Sequence, residues 1–168
     1  ACETIRQNQA LGNFVVKKWK VQQQDVREFD YAALNRDITL VAGGPPCQPF
    51  SLGGKHAAYN DSRDMFPEAV RAVRTLQPRA FIFENVKGIC RESFKSYFSY
   101  IYLRLSYPEM LHKKNETWEE HLSRLEKYHT KNKPEGLYYR VVARQVNAAD
   151  FGIPQKRDRV FFVGFRCD

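Results

Sequence analysis

The chain has 168 residues, 43% of them hydrophobic, and a formal net charge of +8 from 27 basic and 19 acidic side chains. That length supports one domain with a real core, and the apolar content excludes wholesale disorder. The basic balance, with a pI of about 9.4, favours a polyanionic partner, nucleic acid first, although simple solubility also explains it.

Residues 1–11 suit a helix ending near Gly12, and 21–25 suit a short strand. Residues 37–42 are a β-branched run that stops at Gly43-Gly44-Pro45-Pro46, so a strand followed by a rigid turn is expected. The polar, Gly-rich stretch 53–64 reads as a loop. From Met65, the positions Phe66, Ala69, Val70, Val73 and Leu76 recur at helical spacing, with Pro67 near the start and Pro78 at the end. Residues 80–83 form a continuous apolar run, as in a strand buried on both faces, and Glu84-Asn85-Val86 follows it. Phe94, Tyr97, Phe98, Ile101, Tyr102 and Leu105 mark one face of a further helix. The more polar stretch 106–136 reads as a helical insertion, in which Thr117-Trp118-Glu119-Glu120 matches a capping box. Residues 138–146 and 159–165 are two more strands. Strands alternating with amphipathic helices predict an α/β fold, with a parallel-rich sheet and helices on both faces. Ligands of such sheets gather at the carboxyl ends of the strands, where Cys47 and Glu84 fall.

The four cysteines, Cys2, Cys47, Cys90 and Cys167, form no C-x-x-C pair and fit no zinc module, so we expect no metal and a reducing, intracellular compartment. No apolar run approaches a membrane span. The chain opens as if inside a helix and closes on a strand-like run, so both ends read as cut from something longer.

Three segments could carry chemistry. A lone cysteine is usually a small buried hydrophobe, but Cys47 lies among two Gly and three Pro, where burial is disfavoured. A helix N-terminus or nearby cation would make it a thiolate nucleophile. An isolated Glu84 is most simply a surface carboxylate. In a closed pocket at a sheet end its pKa would rise, and it could protonate a ring nitrogen. Gln155-Lys156-Arg157-Asp158-Arg159 is a basic segment entering a strand, by itself a solvated cluster. On a strand, Arg157 and Arg159 would point the same way, two forks suited to phosphate or a base carbonyl.

Together these segments resemble the DNA (cytosine-5)-methyltransferase family. Gly43-Gly44-Pro45-Pro46-Cys47-Gln48-Pro49-Phe50-Ser51 looks like its Pro-Cys nucleophile loop, Glu84-Asn85-Val86 like its Glu-Asn-Val motif, and 147–159 like its Gln-x-Arg-x-Arg segment. Gln24-Asp25-Val26 is similar, over a short stretch, to the acidic position that holds the cofactor's adenine. The resemblance implies a Rossmann-like methyltransferase domain acting on double-stranded DNA with S-adenosylmethionine. The target cytosine would be flipped out, Cys47 would attack C6, Glu84 would serve N3, and Arg159 would hold O2. Asp25, Val26 and Pro46 become cofactor candidates. Gln48, Ser51, Asn85 and Arg157 become DNA contacts, with Arg63 a further phosphate contact. A bacterial cytoplasmic setting, at the nucleoid, is implied as well.

The departures shape the expectation. The family's Phe-x-Gly-x-Gly cofactor turn is absent, as is its target-recognition domain, so residues 1–168 read as an incomplete catalytic domain. The alternatives are one half of a split enzyme that needs a complementary chain, or a fragment that at most binds DNA. A thiol redox enzyme built on Cys47 would leave Glu84 and the Arg pair unexplained.

Overall fold

The computed structural model describes residues 1–34, 37–46, 64–131 and 134–167, in two compact units, Ala1–Asp30 and Tyr31–Asp168. In the first unit, helix α1 (Cys2–Ala10) is closed by the amide of Gln9, which donates to the carbonyls of Val16 (3.0 Å) and Trp19 (2.7 Å). No residue of this unit is buried. The strand expected at 21–25 does not form. Asp25 instead caps a 3-10 turn, Val26–Glu28, by accepting from the Arg27 amide at 3.0 Å, a local bond that competes with strand pairing.

The second unit holds a four-stranded sheet in the order β1-β2-β4-β3, made of β1 (Leu40–Gly43), β2 (Ala80–Val86), β3 (Tyr138–Asn147) and β4 (Asp158–Cys167). β1 and β2 are parallel, with α2 (Phe66–Leu76) in the crossover between them. β2–β4 and β4–β3 are antiparallel, so the parallel part of the sheet is confined to its first pair. β2 runs further than expected: Glu84 and Asn85 lie within the ladder, opposite Phe161 and Val160.

Alternation along the strands sorts the sheet into two faces. Phe81 and Phe83 of β2, Val160 and Phe162 of β4, and Tyr139 and Val141 of β3 are all buried. They pack against α2 and α3 (Lys95–Ser106), with Phe66 and Phe98 both in ring contact with Phe162. α4 (Trp118–Thr130), inside the expected insertion, packs on α3 through Leu122 and Leu125, and its capping box is complete. The opposite face carries Ile82, Phe161, Val163 and the exposed Val142. Among the described residues of this unit no helix covers it, so the expected second helical layer is not part of what is described.

Gly164 marks the tightest point of the core. It faces Phe81 across the β2–β4 ladder, and a Cβ there would lie 2.2 Å from the ring's Cζ. The ring is wedged by sheet and helices and has little room to retreat. Gly164→Ala is expected to cost about 1–3 kcal/mol through overpacking, measured as a lower denaturation midpoint with an unchanged slope.

Candidate active site

The loop that follows β1 is tied to β2 at its first residues. The buried Asn85 donates from Nδ2 to the Pro45 carbonyl at 2.8 Å, and its Oδ1 accepts from the Val86 amide at 2.8 Å. Gly44 lies so close that a Cβ there would approach Glu84 Oε2 to 3.4 Å. The Met65 amide donates to the Pro46 carbonyl at 3.0 Å, fixing Pro46 against the start of α2. Cys47, Gln48, Ser51 and Arg63 lie outside the described residues. What is described is the launching point, Gly44-Pro45-Pro46, held against Glu84 and Asn85.

Glu84 meets Arg159 directly, with Oε1 2.6 Å from Nε. The Nε–H is not aligned on the oxygen, so this is an ion pair more than a hydrogen bond, while Nη1 donates to the Asp158 carbonyl at 2.7 Å. Glu84 is 38% exposed and paired with a guanidinium. The pair stands at one end of the open sheet face, where a concavity of about 690 Å³ is floored by Ile82, Val142, Phe161 and Val163 and rimmed by Arg157 and Arg159. An apolar floor with a carboxyl and a guanidinium at its edge suits a flat heterocycle presenting a ring nitrogen and a carbonyl. Arg157, just before β4, and Arg159, within it, both border this concavity.

Two residues missed in the sequence aim those arginines. Asn147 and Asp158 are register partners at the mouth of the β3–β4 connection. The Asn147 amide donates to Asp158 Oδ1 at 3.1 Å, while its Oδ1 accepts from the amides of Ala149 (3.0 Å) and Arg157 (3.3 Å). Ala148 N also donates to the Arg157 carbonyl at 3.0 Å. Lys87, just past β2, pairs with Asp158 at 3.1 Å and, with Asn147 and Gln145, holds that carboxyl below its usual pKa. An Asn at a strand end just before a tight turn was the available signal.

Asp25 and Val26 belong to the first unit. The Arg27 side chain and amide hold the Asp25 carboxyl at a pKa of about 2, so it stays an acceptor, and Val26 beside it is exposed. The other cysteines described, Cys2, Cys90 and Cys167, are free. Desolvation pushes the Cys90 thiol up, opposite to what an activated nucleophile needs.

His112, Glu116 and His121 bring ligand-type atoms within 4.8 Å of one another. Their chemistry is structural. Glu116 is bound by Arg124 (2.8 Å), while His121, wholly buried, meets the Tyr100 hydroxyl at Nδ1 and the Met110 carbonyl at Nε2, each at 2.9 Å. Burial, then Arg124 and Arg104, depress the His121 pKa to about 4, so the neutral ring is the folded form.

The chain thus forms an α/β domain in which a Pro-rich segment meets the Glu84–Arg159 pair at one end of the sheet. The family model for C-5 cytosine-specific DNA methylase matches residues 1–107 and 108–168, and the chain belongs to that family. It is 32% identical over 169 residues to the type II methyltransferase M.NgoMIV of Neisseria gonorrhoeae, covering 99% of this chain and 41% of that protein. It is 40% identical over 131 residues to M.AquIA of Picosynechococcus sp., covering 77% and 44%. The chain thus spans less than half the length of these relatives. A solved structure assigned as a DNA modification methyltransferase from an E. coli prophage superposes with a TM-score of 0.51 at 24% identity, covering 86% of this chain and 33% of that one. That likeness shows the fold. Among the described residues, no helix is long and apolar enough to cross a membrane.

The depressed His121 pKa gives a pH prediction. Its unfolded form takes up a proton below about 6.5, whereas the folded form resists until about 4. The stability that neutral His121 contributes is full above pH 6.5 and is lost as pH falls toward 4. Melts of the parent and His121→Gln across this window should converge at the acid end. A constant difference between them would refute the assignment.

Proposed function

We propose that this chain carries catalytic groups of a DNA cytosine-5 methyltransferase, transferring a methyl group to C5 of cytosine in double-stranded DNA through a covalent bond between Cys47 and C6. The observation that carries this reading is the Glu84–Arg159 pair, 2.6 Å apart and beside the anchored Pro45-Pro46 that leads into Cys47. A cytosine in the pair's concavity would offer N3 to Glu84 and O2 to Arg159. To admit it, the two side chains must exchange their mutual contact for contacts to the base. As it leaves Arg159, Glu84 takes up a proton from solvent, so that it reaches N3 as a donor.

The chemistry follows from these roles. The base leaves the stack because C6 is unreachable within the duplex. The Cys47 thiolate forms a bond to C6, and Glu84 donates a proton to N3 as electrons move onto the ring, so negative charge does not build up. S-adenosylmethionine, when bound, supplies an electrophilic methyl group for C5. Loss of the C5 proton to a base, and return of the N3 proton to Glu84, then restore the ring and expel the Cys47 thiolate. An exposed Val26 beside an Asp25 carboxylate that stays ionised fits the adenine end of that cofactor, an apolar edge next to an acceptor for its amino group. The family resemblance gives Pro46 a cofactor-binding role as well. Asn85 holds the nucleophile loop through Pro45, and Arg157, Gln48 and Ser51 are proposed DNA contacts. A bacterial cytoplasmic setting, with DNA as substrate, goes with this reading.

Duplex DNA carrying 5-azacytosine tests it, because the ring nitrogen at position 5 makes C6 more electrophilic and attack needs no methyl donor. We expect a denaturation-resistant adduct that maps to Cys47 by peptide mass spectrometry and is absent in Cys47→Ser. Glu84→Gln should slow its formation by about 10²–10⁴-fold. No adduct with the parent chain, or an equal adduct with Cys47→Ser, would sink the proposal.

A further inference from the structure

The register pair Val86↔Arg159 brings the segment after β2 beside the segment before β4. Between them lies a second, open concavity of about 590 Å³, bordered by Lys87, Arg91, Lys156 and Arg157. All four are exposed. Among the described residues, Arg91, Lys156 and Arg157 make no ion pair within 4 Å, and Lys87 is paired only with Asp158. Asp158 is the one carboxylate bordering the concavity, and it is held in place by Lys87, Asn147 and Gln145. Like charges gathered on one open surface repel one another and cost stability, so the arrangement needs a counter-charge from outside. Arg157 and Arg159 border both this concavity and the apolar one, so the two open side by side.

We propose that Lys87, Arg91 and Lys156 bind the phosphodiester backbone next to the nucleotide whose base the Glu84–Arg159 pair receives, and that Asp158 restrains this binding by occupying Lys87. The proposal rests on the function proposed above and adds residues to its DNA surface. A phosphate entering the concavity competes with Asp158 for Lys87, which is 61% exposed and can swing toward it without leaving solvent. Backbone contact here is independent of sequence, because phosphates are the same at every step. Asp158 therefore weakens affinity and speeds release while its other contacts keep the arginines aimed.

The experiment measures anisotropy of a labelled duplex against salt for the parent chain, Lys87→Ala/Arg91→Ala, Lys156→Ala and Asp158→Asn. Removing one cationic partner of a phosphate should flatten the slope of log K against log salt by about one unit, so the double variant should flatten it by about two. Asp158→Asn keeps the acceptor that Asn147 uses but frees Lys87, and should bind more tightly with a steeper slope. Unfolding cannot produce that opposite sign. Slopes unmoved by the alanine variants, weaker binding by Asp158→Asn, or no duplex binding by the parent each overturn the proposal. Trapping at Cys47 is read separately. Altered slopes without an adduct keep the phosphate surface and sink the catalytic reading, whereas an adduct with unaltered slopes does the reverse.

Discussion

The antiparallel ladder between β2 and β4 is the constraint on which the rest of the second unit depends. Its register sets Phe81 against Gly164 at one end and Val86 against Arg159 at the other. A slip of β2 by one residue would turn Phe81 and Phe83 out of the core and send Glu84 inward. The packing that fixes the hydrophobic face therefore also fixes which polar groups meet. The Glu84–Arg159 contact at 2.6 Å follows from core packing several residues away, without loops having to find each other. Parallel pairing of β1 with β2 then delivers the Pro-rich loop to the same end of the sheet.

The structure divides the polar groups of this region by what they hold. Asn85 is buried and faces the loop after β1, so its amide replaces a missing sheet partner for the Pro45 carbonyl. Asn147 does the same work across the β3–β4 connection. Glu84 and Arg159 point instead to the open face, where they meet each other and border the concavity. Groups that position and groups that could react thus lie on different sides of the same strands. The pleat separates them with no special folding device.

Much of this is legible in the chain. Helical spacing from Phe66 to Leu76, the Thr117 capping box and the strands at 138–146 and 159–165 all appear within a few residues of their expected places. These signals are local, being periodicity and side-chain chemistry that no distant contact overrides. The failures have equally specific causes. Glu84 reads as lying beyond a strand end because a carboxylate breaks an apolar run, yet pairing with β4 carries the ladder past it. Residues 21–25 have the look of a strand, but Asp25 commits its carboxylate to a turn. The antiparallel half of the sheet is hidden because strand direction depends on where the chain returns, which composition does not record. Asn147 and Asp158 are unreadable as a pair, since only the β3–β4 register makes them neighbours.

The connection between β3 and β4 is closed at its base by Asn147, which bonds the backbone on both sides of it, and by the Ala148 amide, which donates to the Arg157 carbonyl. Such a clasp holds the two ends of the connecting segment together beside the strands. Phe151 and Ile153, both exposed beyond it, line the apolar concavity together with Arg159. The outer segment is thus fastened at its two ends while its apolar side chains form one wall beside the arginines that the strands align.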